Sequence, residues 1–315
     1  MIRVLGLSAD EDTAGQGYAL KQAFDRLAPD IDFHFVRRAE NYIRYPKDIE
    51  WLPGDDVTGR KVEALYRRAD IVHIMQWPRV VDPSWPKKPM LYHHHGTVFR
   101  HHASAYVDLA RRGDKYIVST LDLYLYGPDV LTWQPNVCDL DALPKRVPHK
   151  GLRIAHAPTN RNGKSTAAFL AACDRLRRDV EIEVDLIERV THAECIRRKA
   201  MADIYYDQVL VGYGVNAIEA WGMGIPVIAG ASKAQAAAHG IGIPDGVLDE
   251  MRRRFDGLPF VLADETTIYD ALVSLVDPER RAVMAARGLA HVQKFHSPSV
   301  VVGQLRGIYE SMLTR

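Results

Sequence analysis

The chain is poor in cysteine: Cys138, Cys173 and Cys195 are odd in number and far apart. That pattern offers neither a disulfide framework nor a zinc-ligand spacing, and it suits a reducing compartment. No apolar run approaches the roughly 20 residues needed to cross a bilayer. The opening "MIRVLGLSADED" places acids directly after a short apolar stretch, unlike the layout of a signal peptide. Charge of one sign is not in excess, since 41 Lys and Arg stand against 40 Asp and Glu. Such a balance supplies no global field toward nucleic acid or an anionic membrane. Repeats and low-complexity tracts are also missing. These absences predict a cytoplasmic globular protein with no transmembrane segment and no strong nucleic-acid signal.

What is present is enough apolar material, 47% of 315 residues, to build two domain cores. Basic pairs such as Arg67–Arg68, Arg177–Arg178 and Arg197–Arg198 read as solvated helix faces. Short strand-like runs alternate with helical patterns. "IRVLGLSA" is followed by "GYALKQAFDRLA", with Leu20, Ala23, Phe24 and Leu27 at helical spacing. "IDFHFV", "KVEALYRRA", "DIVHIM", "PMLYHHHG" and "YIVST" continue the series. A stretch with three prolines, residues 134–151, breaks the rhythm and reads as a linker. Alternation then restarts with "LRIAHA" and runs to "PFVLA", before a helical tail. The predicted class is α/β, with two doubly wound halves on parallel sheets.

Three clusters carry chemistry. "HAPTNRNGKSTAAF", residues 156–169, ends like a phosphate-binding P-loop. A P-loop, however, needs glycine five residues before the glycine of Gly-Lys-Ser, and Pro158 stands there without an N–H to donate. Asp185 is the nearest candidate for a Mg²⁺-holding aspartate, but Glu181 and Glu183 alternate with apolar neighbours, as in a half-exposed strand. What remains is Arg161 and Lys164 beside a helix that begins near Ser165, a pairing suited to a diphosphate. The alternative is a solvated basic loop. In "VGYGVNAIEAWGMGIPVIAG", residues 211–230, Gly212 and Gly214 open a loop and a helix starts near Val215. Glu219, one turn in, can accept from two vicinal ribose hydroxyls, or it is an ordinary helix glutamate. "HHHGTVFRHH" gathers five histidines within ten residues. On a strand His93 and His95 face one way and His94 the other, so the three do not share one ion. No metal site is expected.

The 211–230 stretch resembles the nucleotide-sugar signature of GT-B glycosyltransferases, especially the retaining enzymes of glycosyltransferase family 4. "HAPTNRNGKST" is similar to the loop after the first strand of their second domain. "ADIVHIMQ", "YHHHGT" and "DTAGQGYAL" resemble elements of their first. The resemblance covers nearly the whole chain and is strongest over 151–230. It implies two Rossmann-like domains facing each other across a cleft. These would be a 1–148 acceptor-side domain, a 149–295 nucleotide-sugar-binding domain and a 296–315 helix packing back toward the first. Carried over residue by residue, Arg161 and Lys164 would hold the donor diphosphate and Glu219 the ribose. Gly214 and the amides of Val215 and Asn216 would meet phosphate or sugar oxygens. Gly15 and Gly17 would let the first loop approach the substrates, and His95 would be the first domain's active-site histidine. One departure is clear. The family often has an acid eight positions before that glutamate, where this chain has Val211; Asp207 and Gln208 could fill the same space.

The implied function is transfer of a hexose-like sugar from a UDP- or GDP-sugar, with retention of anomeric configuration and no tightly bound cofactor. The acceptor is not named by the sequence: a glycan, lipid, protein or modified nucleobase all fit. Three other readings stay open, namely a GT-B type nucleotide-sugar epimerase, a P-loop-like NTPase or kinase, and a catalytically decayed nucleotide-sugar-binding protein.

Overall fold

The computed structural model describes residues 1–9, 12–39, 41–76 and 81–314, so Asp10 and Glu11 of the opening acids lie outside the described residues. The chain divides into two compact units, Met1–Asp139 with Ser297–Arg315, and Leu140–His296. The division falls inside the proline-rich 134–151 stretch. Residues beyond 140 belong to the second unit because they are tied down there: Val147 N donates to Ala200 O at 3.0 Å, and Arg146 and His149 both pair with Asp203.

Unit 1 runs β1 (Ile2–Ser8), α1 (Gln16–Leu27), β2 (Ile31–Arg37), β3 (Ile49–Glu50), α2 (Asp56–Arg68), β4 (Ile71–Met75), β5 (Met90–His94), α3 (Thr97–Arg111), β6 (Lys115–Val118), α4 (Leu121–Tyr124) and β7 (Thr132–Trp133). Its strands lie in the order β3-β2-β1-β4-β5-β6-β7, every pairing parallel. β4 is buried along its whole length, as a sheet covered on both faces requires. α1 turns Leu20, Ala23 and Phe24 toward β2, which supplies Phe33 and Phe35.

Unit 2 runs β8 (Leu152–His156), α5 (Thr166–Leu176), β9 (Ile182–Leu186), α6 (His192–Lys199), β10 (Ile204–Gln208), β11 (Val211–Gly212), α7 (Val215–Gly222), β12 (Val227–Ala231), α8 (Lys233–Ala238), α9 (Val247–Phe255), β13 (Val261–Leu262), α10 (Ile268–Ser274) and α11 (Pro278–His291). Strand order is β11-β12-β10-β8-β9, with β13 also on β12; only β11 is antiparallel. Thr191 caps α6 and Asp277, followed by Pro278, caps α11. The last helix, α12 (Pro298–Leu313), returns to unit 1, where Val301, Val302, Leu305 and Tyr309 close the core around Phe24 and Phe33.

Strand order reverses between β1 and β4 in unit 1, and between β8 and β10 in unit 2. In open α/β sheets a crevice forms at such a reversal, outside the carboxyl ends of the strands, because the crossovers leave on opposite faces. The two reversals therefore mark where a site belongs in each unit.

Candidate functional site

At the unit 2 reversal, β8 ends in His156 and β10 in Asp207 and Gln208. The Asp207 carboxylate is buried and spends both oxygens inside the protein. Oδ1 accepts from Lys164 Nζ at 2.7 Å and Oδ2 from the Gly214 N–H at 2.7 Å. One side chain thus fixes a cation and the start of α7 together. A Cβ built on Gly214 would lie 3.7 Å from Asp207 Oδ2 and 3.8 Å from Lys164 Nζ, which places that glycine against both. Asn216 tethers α7 from the other side, donating to Ala157 O at 3.3 Å just beyond β8. Gly214, Val215 and Asn216 are half-exposed, and the first N–H groups of a helix have no partner within it. Gln208 is buried where a β-bulge shifts the β10–β12 register.

One turn into α7, Glu219 is 7% exposed and held by two basic side chains. Lys199 Nζ lies 2.6 Å from Oε2 and His192 Nε2 lies 2.7 Å from Oε1. Lys199 is wholly buried, and its three N–H groups meet Glu219, Asn216 Oδ1 at 2.8 Å and Asn216 O at 3.2 Å. Burial alone would raise the carboxyl, but the Lys199 charge and the His192 hydrogen bond bring it down to about 2. Glu219 is therefore a fixed anion. A carboxylate offers about four lone-pair sites, so two stay open to further donors.

The loop after β8 is not a P-loop. Asn160 Oδ1 accepts the N–H groups of Asn162 at 3.0 Å and Gly163 at 3.1 Å. The N–H groups of Ser165 and Thr166 go to Asn162 O and Arg161 O. Amides that would wrap a phosphate are spent inside the loop, and the entry to α5 has fewer to offer than its position in sequence predicts. Asp185 sits on the edge strand β9 paired with Arg198, away from a Mg²⁺-holding role. Arg161 is an exposed fork gripping Glu188 at 2.5 and 2.8 Å. Such a surface pair is readily exchanged for a phosphate. His156 is buried behind the loop: Nδ1 donates to Tyr206 O and Nε2 accepts from Thr166 Oγ1, both at 2.9 Å.

At the unit 1 reversal the strand ends carry histidines and a glutamine, and the loop after β1 carries Asp12. Asp12 accepts the N–H groups of Gly17 at 2.7 Å and Tyr18 at 2.9 Å, capping α1. Gly15 has φ +69°, and a Cβ there would lie 2.6 Å from the Tyr45 ring. A Cβ on Gly17 would lie 2.2 Å from the Phe35 ring, so that glycine makes room for the protein's own core. Gln76, just past β4, donates to Thr13 Oγ1 at 3.2 Å and accepts the His95 N–H at 3.4 Å. His95 follows β5, buried, with its side chain on Asn136; burial pushes its imidazole down to about 4. His93 and His95 lie with ring centroids 4.2 Å apart, whereas His94 packs among Phe99, Tyr106 and Tyr116 on the opposite side. Among the described residues no group of three or more His, Cys, Asp or Glu side chains could hold a metal. Nor, among them, is any helix long and apolar enough to cross a membrane.

The structure thus gathers Lys164, Asp207, Gly214, Asn216 and Glu219 around the start of α7, and leaves Arg161 on the rim of the preceding loop. Lys199 and His192 were not legible as site residues. Lys199 closes a basic run, Arg197–Arg198–Lys199, whose period puts Arg197 in solvent and Lys199 inside.

No family model matches the chain. It is 31% identical over 146 residues to a Corynebacterium glutamicum GDP-mannose-dependent monoacylated alpha-(1-6)-phosphatidylinositol monomannoside mannosyltransferase, a match spanning 44% of this chain and only 35% of that protein. Among solved structures, Anabaena HepE in complex with UDP-glucose superposes with a TM-score of 0.68 at 13% identity, covering 99% of this chain and 100% of that one. A Rickettsia africae glycosyltransferase gives 0.65 at 11% identity over 99% and 98%. A Listeria monocytogenes protein described as a UDP-N-acetylglucosamine 2-epimerase gives 0.56 at 14% identity over 98% and 96%. At these identities the likeness defines the fold: the chain has the GT-B fold of two Rossmann-like units.

Proposed function

We propose that the chain is a glycosyltransferase that moves a hexosyl group from a UDP- or GDP-sugar to an acceptor, with retention of anomeric configuration. The observation that carries this reading is the joint grip of Asp207 on Lys164 and on the first amide of the α7 loop, at the strand-order reversal, with ionised Glu219 one turn further. Lys164 and the Val215 and Asn216 amides meet the diphosphate, and Arg161 leaves Glu188 to join them. Glu219 accepts from the ribose hydroxyls through the lone pairs that Lys199 and His192 leave open. Asp207 acts by holding these groups, and buried Gln208 supports the same strand end. In unit 1, Gly15, Gly17 and His95 form the corresponding sugar- or acceptor-binding loops.

In the reaction the sugar C1–O bond breaks and its electron pair leaves with the diphosphate. An acceptor oxygen bonds to C1 and gives up its proton to an oxygen of the departing diphosphate. Cations and a helix N-terminus fixed before the charge develops stabilise the leaving group without reorganisation. Sugar donors of both nucleotides occur in the names of the similar proteins, which supports the donor class and leaves the nucleotide open.

Thermal shift against UDP, GDP and ADP tests the binding half of this reading, since a ligand at about 100 times its Kd stabilises by about 2.7 kcal/mol. One nucleotide should raise Tm in the wild type and much less in Lys164→Ala; no response to any of them defeats the proposal. Incubation of the bound sugar nucleotide alone separates the rivals. Free nucleotide supports transfer to water, an isomerised donor supports an epimerase, and intact donor with every acceptor offered supports a binding protein.

A further inference from the structure

Unit 1 contains a chain of buried side chains that the proposed reaction does not yet use. Tyr309 of α12 has its hydroxyl 2.7 Å from His73 Nδ1, and His73 Nε2 lies 3.2 Å from His93 Nδ1. Tyr309 and His73 are wholly buried, and His93 is 2% exposed. Among the described residues His93 Nε2, like His95 Nε2 beside it, has no hydrogen-bond partner.

The direction of the chain follows from its first member. The Tyr309 proton needs an acceptor, and His73 Nδ1 is the one within reach; a buried hydroxyl left undonated is costly. His73 Nδ1 is then the bare nitrogen and Nε2 carries the proton. That proton points at His93 Nδ1, which must be bare in turn, so His93 carries its own proton on Nε2. All three groups are neutral at pH 7. Burial pushes His73 down to about 3 and His93 well below its ordinary range, and keeps the Tyr309 hydroxyl protonated. Stacking of Tyr309 on Phe24 and edge contact of His73 with Phe33 fix the rings.

We propose that Tyr309 and His73 are positioning residues that lock His93 in its Nε2–H tautomer, leaving beside His95 a buried, unpartnered N–H donor that an oxygen of a bound sugar would satisfy. The sugar as ligand rests on the proposed function; the tautomer does not. The lock is supplied by a helix that enters unit 1 only after the chain has completed unit 2.

Long-range ¹H–¹⁵N spectra of histidine-labelled protein read the tautomer of each ring directly. The wild type should show His93 and His73 protonated at Nε2. In Tyr309→Phe, which keeps the ring, loss of one neutral hydrogen bond should shift the His73 tautomer ratio by about fivefold and carry His93 with it. Adding His73→Gln, whose amide N–H can donate to His93 Nδ1 without Tyr309, should restore the Nε2–H form of His93. Turnover of donor, if transfer is the reaction, should fall in Tyr309→Phe through kcat with KM unchanged. A His93 proton on Nδ1 in the wild type, or unaltered tautomers in folded Tyr309→Phe, overturns the lock. Absence of donor turnover with the expected tautomers overturns the transferase reading and leaves the lock standing.

Discussion

The two strand-order reversals use the same topology for opposite chemistry. In unit 2 the strand ends carry two ion pairs, Lys164 with Asp207 and Lys199 with Glu219. In unit 1 the strand ends carry Gln76, His93 and His95, backed by wholly buried His73 and Tyr309, while Asp12 is spent on the first amides of α1. The difference is the one that the proposed function needs. A diphosphate requires cations that do not titrate, whereas a sugar is recognised by neutral donors and acceptors of defined direction.

The comparison can be broken most severely at Glu219. Glu219→Ala leaves the Lys199 ammonium buried without its anion and should cost about 3–5 kcal/mol, read by denaturant unfolding of unit 2. A Lys199→Met/Glu219→Leu double variant, which removes both charges, should recover most of that loss; equal damage in both would mean the pair is not the cause. Lys164→Ala should act on the reaction, lowering kcat by about 10²–10³-fold, the usual cost of one preorganised group at a developing charge. Stability should fall as well, since buried Asp207 loses its counter-ion while still holding Gly214, so kcat is compared at a temperature where the variant is folded.

Acid sharpens the contrast next. Burial holds His73 and His94 down to about 3, His95 to about 4 and His93 well below the ordinary 6.5. Their unfolded forms take up protons first, so the stability they allow is complete above pH 6.5 and is lost as pH falls toward 4 and below. Each contributes a slope of about 1.4 kcal/mol per pH unit where only the unfolded form is protonated. In unit 1 His34, drawn up by its hydrogen bond to Asp48, works the other way. In unit 2 burial depresses His156 and His291 in the same way. The stability carried by Glu219 is full above about pH 4.5 and disappears only as pH drops through about 2. Hydrogen exchange at pH 5 against pH 7 should therefore loosen unit 1 more than unit 2. The smallest effect is expected from Arg161→Ala: an unchanged Tm and weaker nucleotide binding, because its partner Glu188 lies at the surface with it.

Much of the fold was legible because strand-like and helix-like periods alternate without a break until the prolines at 135, 144 and 148. The loop from Gly212 was legible for the same local reason: Gly212 holds φ +97°, and a Cβ there would lie 2.4 Å from Met251. Gly17 also meets the Phe35 ring, a contact between residues of a helix and a strand that no local pattern reveals. The P-loop likeness failed through Asn160, whose side chain takes amides that the motif would offer to phosphate.

Sequence alone determined the elements, the α/β class and the presence of cationic and acidic residues near two turns, because period and turn chemistry act over a few neighbours. Only the tertiary structure decided which of those residues meet. Lys199 lies 20 positions from Glu219, and Tyr309 lies 236 from His73. Burial then chose their charge states, since a low-dielectric interior keeps an ion only beside its counter-ion and otherwise keeps the group neutral.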